Sequence, residues 1–190
     1  GGEFKVTMEF TPASFDGEPC TQIIIRIQAS DQELEQRLSD MSKLDLLTGA
    51  YNRPYFLEAL QQLSGKPDKE GAVLSIVPDE YKRLRDESGI ATSDELLSKF
   101  AELIGKVLPG ESDFVARFEG EHFIALLHNI NAANAEKFAS ALCKKIDGHI
   151  FDLSGTSSTT TCSIGIGLYN EAIQDHQEVI TRSEKAFSEA

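Results

Sequence analysis

No stretch of this chain approaches the roughly 20 consecutive apolar residues that a membrane-spanning helix needs. No segment shows the charged-then-apolar pattern of a secretory leader, so the expected location is the cytoplasm. Basic residues are scarce. The chain has 18 Lys and Arg against 31 Asp and Glu, a net charge of −13. Such a surface repels phosphate backbones and anionic lipid, so neither nucleic acid nor a membrane is an expected partner. Cysteine is scarce too. Cys20, Cys143 and Cys162 are odd in number, far apart in sequence and flanked by apolar residues. They lack metal-ligand spacing, and they are expected to be reduced, buried thiols. What remains is 190 residues, 41% of them hydrophobic. That suffices for one ordinary domain with a real core and an appendage.

Residues 1–28 read as β structure. Lys5–Phe10 and Thr21–Ile27 are candidate strands, with Asp16-Gly17 as the turn signal between them. Two strands alone are marginal in water, so this piece is expected to belong to a larger sheet. Residues 30–46 read as a helix with Leu34, Leu38 and Met41 on one short seam. It is expected either to pack on its own domain or to pair two copies as a signalling linker.

A globular domain starts near Asp45. The patterns predict a helix over 54–63, a loop over 66–71 and a continuous apolar strand over 72–77. A helix over about 79–86 follows, then a second helix opened by a Thr92–Glu95 capping box. Its core face is Leu96, Leu97, Phe100, Leu103, Ile104 and Val107, and Pro109-Gly110 stops it. Two strands then flank a tight Glu119-Gly120 turn. Asn131 caps a helix over 132–146, Thr160–Leu168 alternates as a strand, and a last helix begins near Asp175. This order suits an α+β fold with a central, mostly antiparallel sheet flanked by helices.

Three motifs give this pattern a family. Asp45-Leu46-Leu47-Thr48-Gly49-Ala50-Tyr51-Asn52-Arg53 resembles the opening Asp-x-Leu-Thr-Gly-Leu-x-Asn-Arg of the GGDEF domains of bacterial diguanylate cyclases. Arg117-Phe118-Glu119-Gly120-Glu121-His122-Phe123 resembles their signature hairpin, and Ser163-Ile164-Gly165 their late Ser-Ile-Gly strand. The resemblance implies the GGDEF fold, a βααββαβ arrangement related to adenylyl cyclases and ferredoxins, here over 47–190. The strands at 1–28 resemble the end of a PAS domain, and 29–46 then read as a linker helix.

Active members of that family condense two GTP molecules into cyclic di-GMP with divalent cations. The resemblance places those functions on positions that this chain has altered. The first metal-binding aspartate is Val77, a hydrocarbon that offers no ligand. Pro78 removes an amide from the loop that would cradle phosphate. The asparagine that reads guanine is Arg85, which has only donors. Asp79 and Lys82 stay in the vestigial nucleotide pocket, and so does Asp94. A helix-start acid favoured by the macrodipole is the other reading of Asp94. In the vestigial signature Glu119, Gly120, Glu121, His122, Phe123, a glycine has become Glu119 and the second acid His122. Glu121 keeps a metal-ligand position. The family's inhibitory Arg-x-x-Asp site is reduced to Gly110 and Asp113.

The expectation is therefore a degenerate domain without catalytic residues, bound metal or cofactor. It would act as a structural and regulatory module beside neighbouring PAS and EAL domains, with a possible homodimer through the 30–46 helix. That order resembles FimX-type regulators of type IV pili and twitching motility. One alternative is a GTP sensor that tunes a neighbouring EAL phosphodiesterase. Another is an atypical active cyclase that uses His122 as base.

Overall fold

The structure is a computed structural model that describes residues 6–27, 42–63, 70–170 and 175–188. It divides into two compact units, Gly1–Ser42 and Lys43–Ala190. In the first unit, β1 (Val6–Phe15) pairs antiparallel with β2 (Glu18–Ile27). Asp16 (φ 55°) and Gly17 (φ 84°) form the turn between them. Both central residues of such a turn need positive φ, which Asp-Gly tolerates. The strands run to the turn on both sides, beyond the predicted 5–10 and 21–27. Cys20 is exposed on β2, which corrects the expectation of a buried thiol.

The expected 30–46 helix falls mostly outside the described residues. Its described end departs from it. Leu44 bridges Tyr51, and Asp45 begins a turn, so 43–46 is not helical. Most of the expected 66–71 loop also lies outside the described residues.

The second unit is built on a five-stranded sheet in the order β3-β5-β6-β4-β9. Its members are β3 (Tyr51–Asn52), β4 (Gly71–Pro78), β5 (Phe114–Glu119), β6 (His122–His128) and β9 (Cys162–Tyr169). The pairings β4–β6, β4–β9 and β5–β6 are antiparallel, and β3–β5 is parallel. The central strand β4 is the continuous apolar run read from the sequence. It is covered on both faces, so it need not alternate.

Helices cover both faces. Leu74, Ile76, Phe123 and Ala125 pack with Leu97 and Phe100 of α2 (Tyr81–Val107) and Leu142 of α3 (Ala132–Asp147). Val73, Ile124 and Leu126 point the other way. They pack with Phe56 and Leu60 of α1 (Arg53–Leu63) and Val179 and Ile180 of α4 (His176–Ser188). This alternation is the period-two rule of a strand. On β9, Gly165 and Gly167 face α4. A β-carbon at Gly165 would stand 1.9 Å from the Ser183 carbonyl oxygen, and one at Gly167 2.3 Å from that of Val179. Both glycines let the helix backbone lie against the sheet.

Three expectations change. The two helices over 79–107 form one run, α2, broken at Gly89 (φ 83°, ψ 173°). The Thr92–Glu95 box is not the start, because helix resumes at Ile90 and the Glu95 carboxylate accepts from Ser154 Oγ at 2.6 Å and pairs with Lys99. A small hairpin, β7 (Phe151–Leu153) and β8 (Thr156–Ser158), was not expected. Asn131 does cap α3, accepting the Asn134 amide at 3.0 Å.

Candidate functional site

The sheet topology gathers the motif residues at one end. Ile76 pairs with Phe123, and Val77 with Ser163. The end of β4, the β5–β6 turn and the start of β9 therefore lie side by side. The turn itself is Gly120-Glu121 (Gly120 φ 54°), one residue later than expected, because Glu119 pairs with His122 across a bulge after Arg117. Glu119 is exposed, Glu121 half-buried, and Phe123 fully buried in the core.

An ion pair that the sequence reading missed braces the turn. Arg117 donates Nε to the Gly120 carbonyl at 2.8 Å and reaches Asp45 with a terminal nitrogen at 3.2 Å. Asp45 also accepts the Thr48 amide at 2.9 Å and hydroxyl at 2.8 Å. Burial works against ionising Asp45, but the Thr48 bonds and the Arg117 charge outweigh it and hold the carboxyl below its ordinary value. The Asp-x-Leu-Thr-Gly motif is thus tied to the hairpin. An arginine three residues before the turn glycine, facing an aspartate that opens a motif, was the available signal. Nearby, the Arg53 guanidinium stacks on the Phe118 ring at 4.6 Å.

His122 does not face open solvent. Its ring lies edge-on to Phe118 at 5.3 Å and parallel to Phe187 of α4 at 6.4 Å. Its Nε2 is buried without a hydrogen-bond partner. Burial pushes its pKa down, and the charges of Glu119 and Glu121 only partly offset this. The unfolded chain then binds a proton that the folded chain resists. Stability from this group is complete above the ordinary histidine value of 6.5 and is lost progressively as pH falls below it. Urea midpoints at pH 7.5 and 5.5 are expected to drop on acidification in the parent chain. The drop is expected to be smaller in His122→Leu. Equal drops would show that His122 carries none of the effect.

The other motif residues are dispersed or already engaged. Val77 is half-buried at the end of β4. Asp79 accepts from Thr161 Oγ1 at 2.5 Å and Ser163 Oγ at 2.9 Å, and its amide donates to the Thr161 carbonyl at 2.9 Å. It locks the β4–α2 loop to β9. Glu80 (φ 57°) enters α2 and pairs with Arg83 at 2.5 Å. Lys82 and Arg85 are exposed on the first turns of α2, and Asp94 is half-buried beyond the Gly89 break. Of Val77, Asp79, Lys82, Arg85 and Asp94, only Asp79 lines the cavity of about 390 Å³ between the start of α2 and residues 158–161. That cavity also includes Glu80, Glu87 and Asp147 beside one cation, Arg83, which pairs with Glu80 and Glu87, a charge balance unsuited to a triphosphate.

At the implied inhibitory position, Asp113 is structural. Its two oxygens accept the Gly110 amide and the His128 amide, each at 2.8 Å, and its side chain is only 3% exposed.

Magnesium wants several oxygen ligands in close octahedral array. The positions that the resemblance assigns to metal offer a hydrocarbon at Val77, an aromatic-packed imidazole at His122 and one carboxylate at Glu121. Among the described residues, no three His, Cys, Asp or Glu side chains converge as a metal site. This donor set does not fit a pair of magnesium ions.

Residues 42–190 match the family described as diguanylate cyclase, GGDEF domain. The chain is 28% identical over 160 residues to "Diguanylate cyclase A" of Treponema denticola, covering 81% of this chain and 43% of that protein. It is 31% identical over 156 residues to "Cyclic di-GMP phosphodiesterase NbdA" of Pseudomonas aeruginosa, covering 80% of this chain and 20% of that protein. It therefore spans less than half the length of either relative. Among solved structures, the FimX GGDEF domain from Pseudomonas aeruginosa superposes with a TM-score of 0.73 at 31% identity. That match covers 78% of this chain and 93% of that one.

Proposed function

We propose, because this chain belongs to the diguanylate cyclase GGDEF family, that it serves a cyclic di-GMP signalling protein as a non-catalytic structural and regulatory domain. The observation that carries the reading is His122, packed against Phe187 with Nε2 buried, where the resemblance calls for a metal-binding acid. Val77 compounds it. Two-metal phosphoryl transfer depends on anionic ligands that hold the ions and stabilise charge on the transferring group. Glu121 alone is left for that task. Exposed Glu119 beside it would repel a triphosphate. The core and the braces of the hairpin are complete, so the shape is kept for contact.

In this reading the domain positions neighbours: a PAS-like sheet ahead of it, an EAL domain after it, and a second copy through the segment that precedes Lys43. Similarity to the FimX GGDEF domain and to a protein named as a phosphodiesterase supports that setting. A FimX-type role in type IV pili and twitching motility belongs to the same proposal.

Calorimetric titration with GTP and, separately, cyclic di-GMP, each with magnesium, tests it. The expected result is no heat from either at high protein concentration. Micromolar GTP binding that needs magnesium and is lost in Glu121→Ala would replace the proposal with a GTP sensor. Cyclic di-GMP binding would contradict the loss of the inhibitory site at Gly110.

A further inference from the structure

The candidate site makes no use of Cys143 and Cys162. They are 19 residues apart in sequence, yet the fold brings them together: α3 packs over the start of β9, and the two sulfurs lie 3.7 Å apart. This is van der Waals contact, with no atom between them. The Cys143 sulfur also lies 3.7 Å from the Cys162 carbonyl oxygen. Both thiols are free.

Their exposure differs. Cys162 is buried, whereas Cys143 is partly open to solvent. A reachable thiol backed by a buried one is the arrangement of an attacking and a resolving cysteine. The hydrogen bond from the Cys162 thiol outweighs desolvation and the nearby Asp79 charge, and lowers the Cys143 thiol to about 7. The same interaction pushes the Cys162 thiol up. Of the two, Cys143 is the thiol that ionises more readily, and Cys162 the one that keeps its proton.

We propose that Cys143 and Cys162 are a peroxide-reactive dithiol that closes reversibly to a disulfide. The Cys143 thiolate attacks an oxygen of hydrogen peroxide. The O–O bond breaks, hydroxide leaves and is protonated to water, and Cys143 becomes a sulfenic acid. The Cys162 sulfur then attacks the Cys143 sulfur, its proton leaves with the departing hydroxyl as a second water, and the S–S bond forms. Two thiols have lost two electrons, and one peroxide has become two waters. A bond of about 2.05 Å requires the sulfurs to approach further from contact distance.

The location gives the bond a consequence. Cys162 pairs with Pro78 of β4, and Asp79 next to it is held by Thr161 and Ser163. A disulfide would fasten α3 to the sheet end that carries the β4–α2 loop.

The test is substoichiometric hydrogen peroxide added to the reduced chain, followed by alkylation and peptide mass mapping. The expected result is joint loss of the Cys143 and Cys162 thiols in one linked peptide pair, two hydrogens lighter than its reduced form and restored by dithiothreitol. Cys20, exposed in the other unit, is expected to be modified later. In Cys162→Ser the reaction is expected to stop at a Cys143 sulfenic acid that dimedone captures. Early oxidation of Cys20 with both partners still reduced would overturn the proposal. So would Cys143 passing to sulfinic acid in the parent chain without forming the link.

Discussion

Gly165→Ala is expected to destabilise the second unit by about 3 kcal/mol, at the upper end for overpacking a core, and to lower Tm by roughly 6–12 °C. The added carbon would meet the Ser183 carbonyl oxygen at 1.9 Å and the Phe187 amide nitrogen at 2.4 Å. Both are backbone atoms of α4, so no side chain can rotate away. The helix must lift off β9, and with it the buried Ser75–Ser183 hydroxyl pair at 2.9 Å and the Phe187 ring against His122. Gly105→Ala on the exposed side of α2 is the control. Nothing lies within 4 Å of its added carbon, and it should stabilise by about 0.5–1 kcal/mol through helix propensity. Thermal melts of the two variants decide this. A neutral Gly165→Ala would mean that α4 is not seated on β9.

Asp113→Ala is expected to cost about 2 kcal/mol, because removing the buried carboxylate leaves the part-buried His128 amide without its acceptor and frees the Gly110 amide, which water can reach. Asp113→Asn separates structure from charge. Each carboxylate oxygen accepts a different amide, from Gly110 and from His128. An asparagine has one acceptor oxygen and would aim its NH2 at an amide donor. It should therefore lose nearly as much as alanine does in urea denaturation. Full retention of stability in Asp113→Asn would show that one of the two bonds is dispensable. The aspartate thus has a sufficient reason to be present without any ligand.

Much of the second unit is legible in the sequence because local pattern and global burial agree there. The apolar run 72–77 is too short and too β-branched for a core helix and reads as a central strand. The stripe from Leu96 to Val107 could only be a helix against a core. The departures have local causes. The hairpin turn sits one residue later because the bulge after Arg117 consumes a position. Gly89 marks a break, but packing continues the helix past it. The β7–β8 hairpin turns on Ser154 (φ 48°) and Gly155 (φ 90°), a Ser-Gly signal that was readable between Leu153 and the β-branched Thr156.

The site is less legible, because its meaning lies in long-range contacts. Sequence identifies His122 and Val77 as altered positions. Only the fold shows His122 wedged between Phe118 and Phe187, Asp79 spent on β9, and Arg117 spanning 72 residues to Asp45. The Cys143–Cys162 contact likewise depends on α3 crossing β9.

The most direct measurement is a cyclase assay on the chain, at high protein concentration with GTP and magnesium or manganese, with cyclic di-GMP quantified by chromatography. The account predicts no product above the buffer control. Accumulation of cyclic di-GMP that Glu121→Ala and His122→Ala abolish would contradict it.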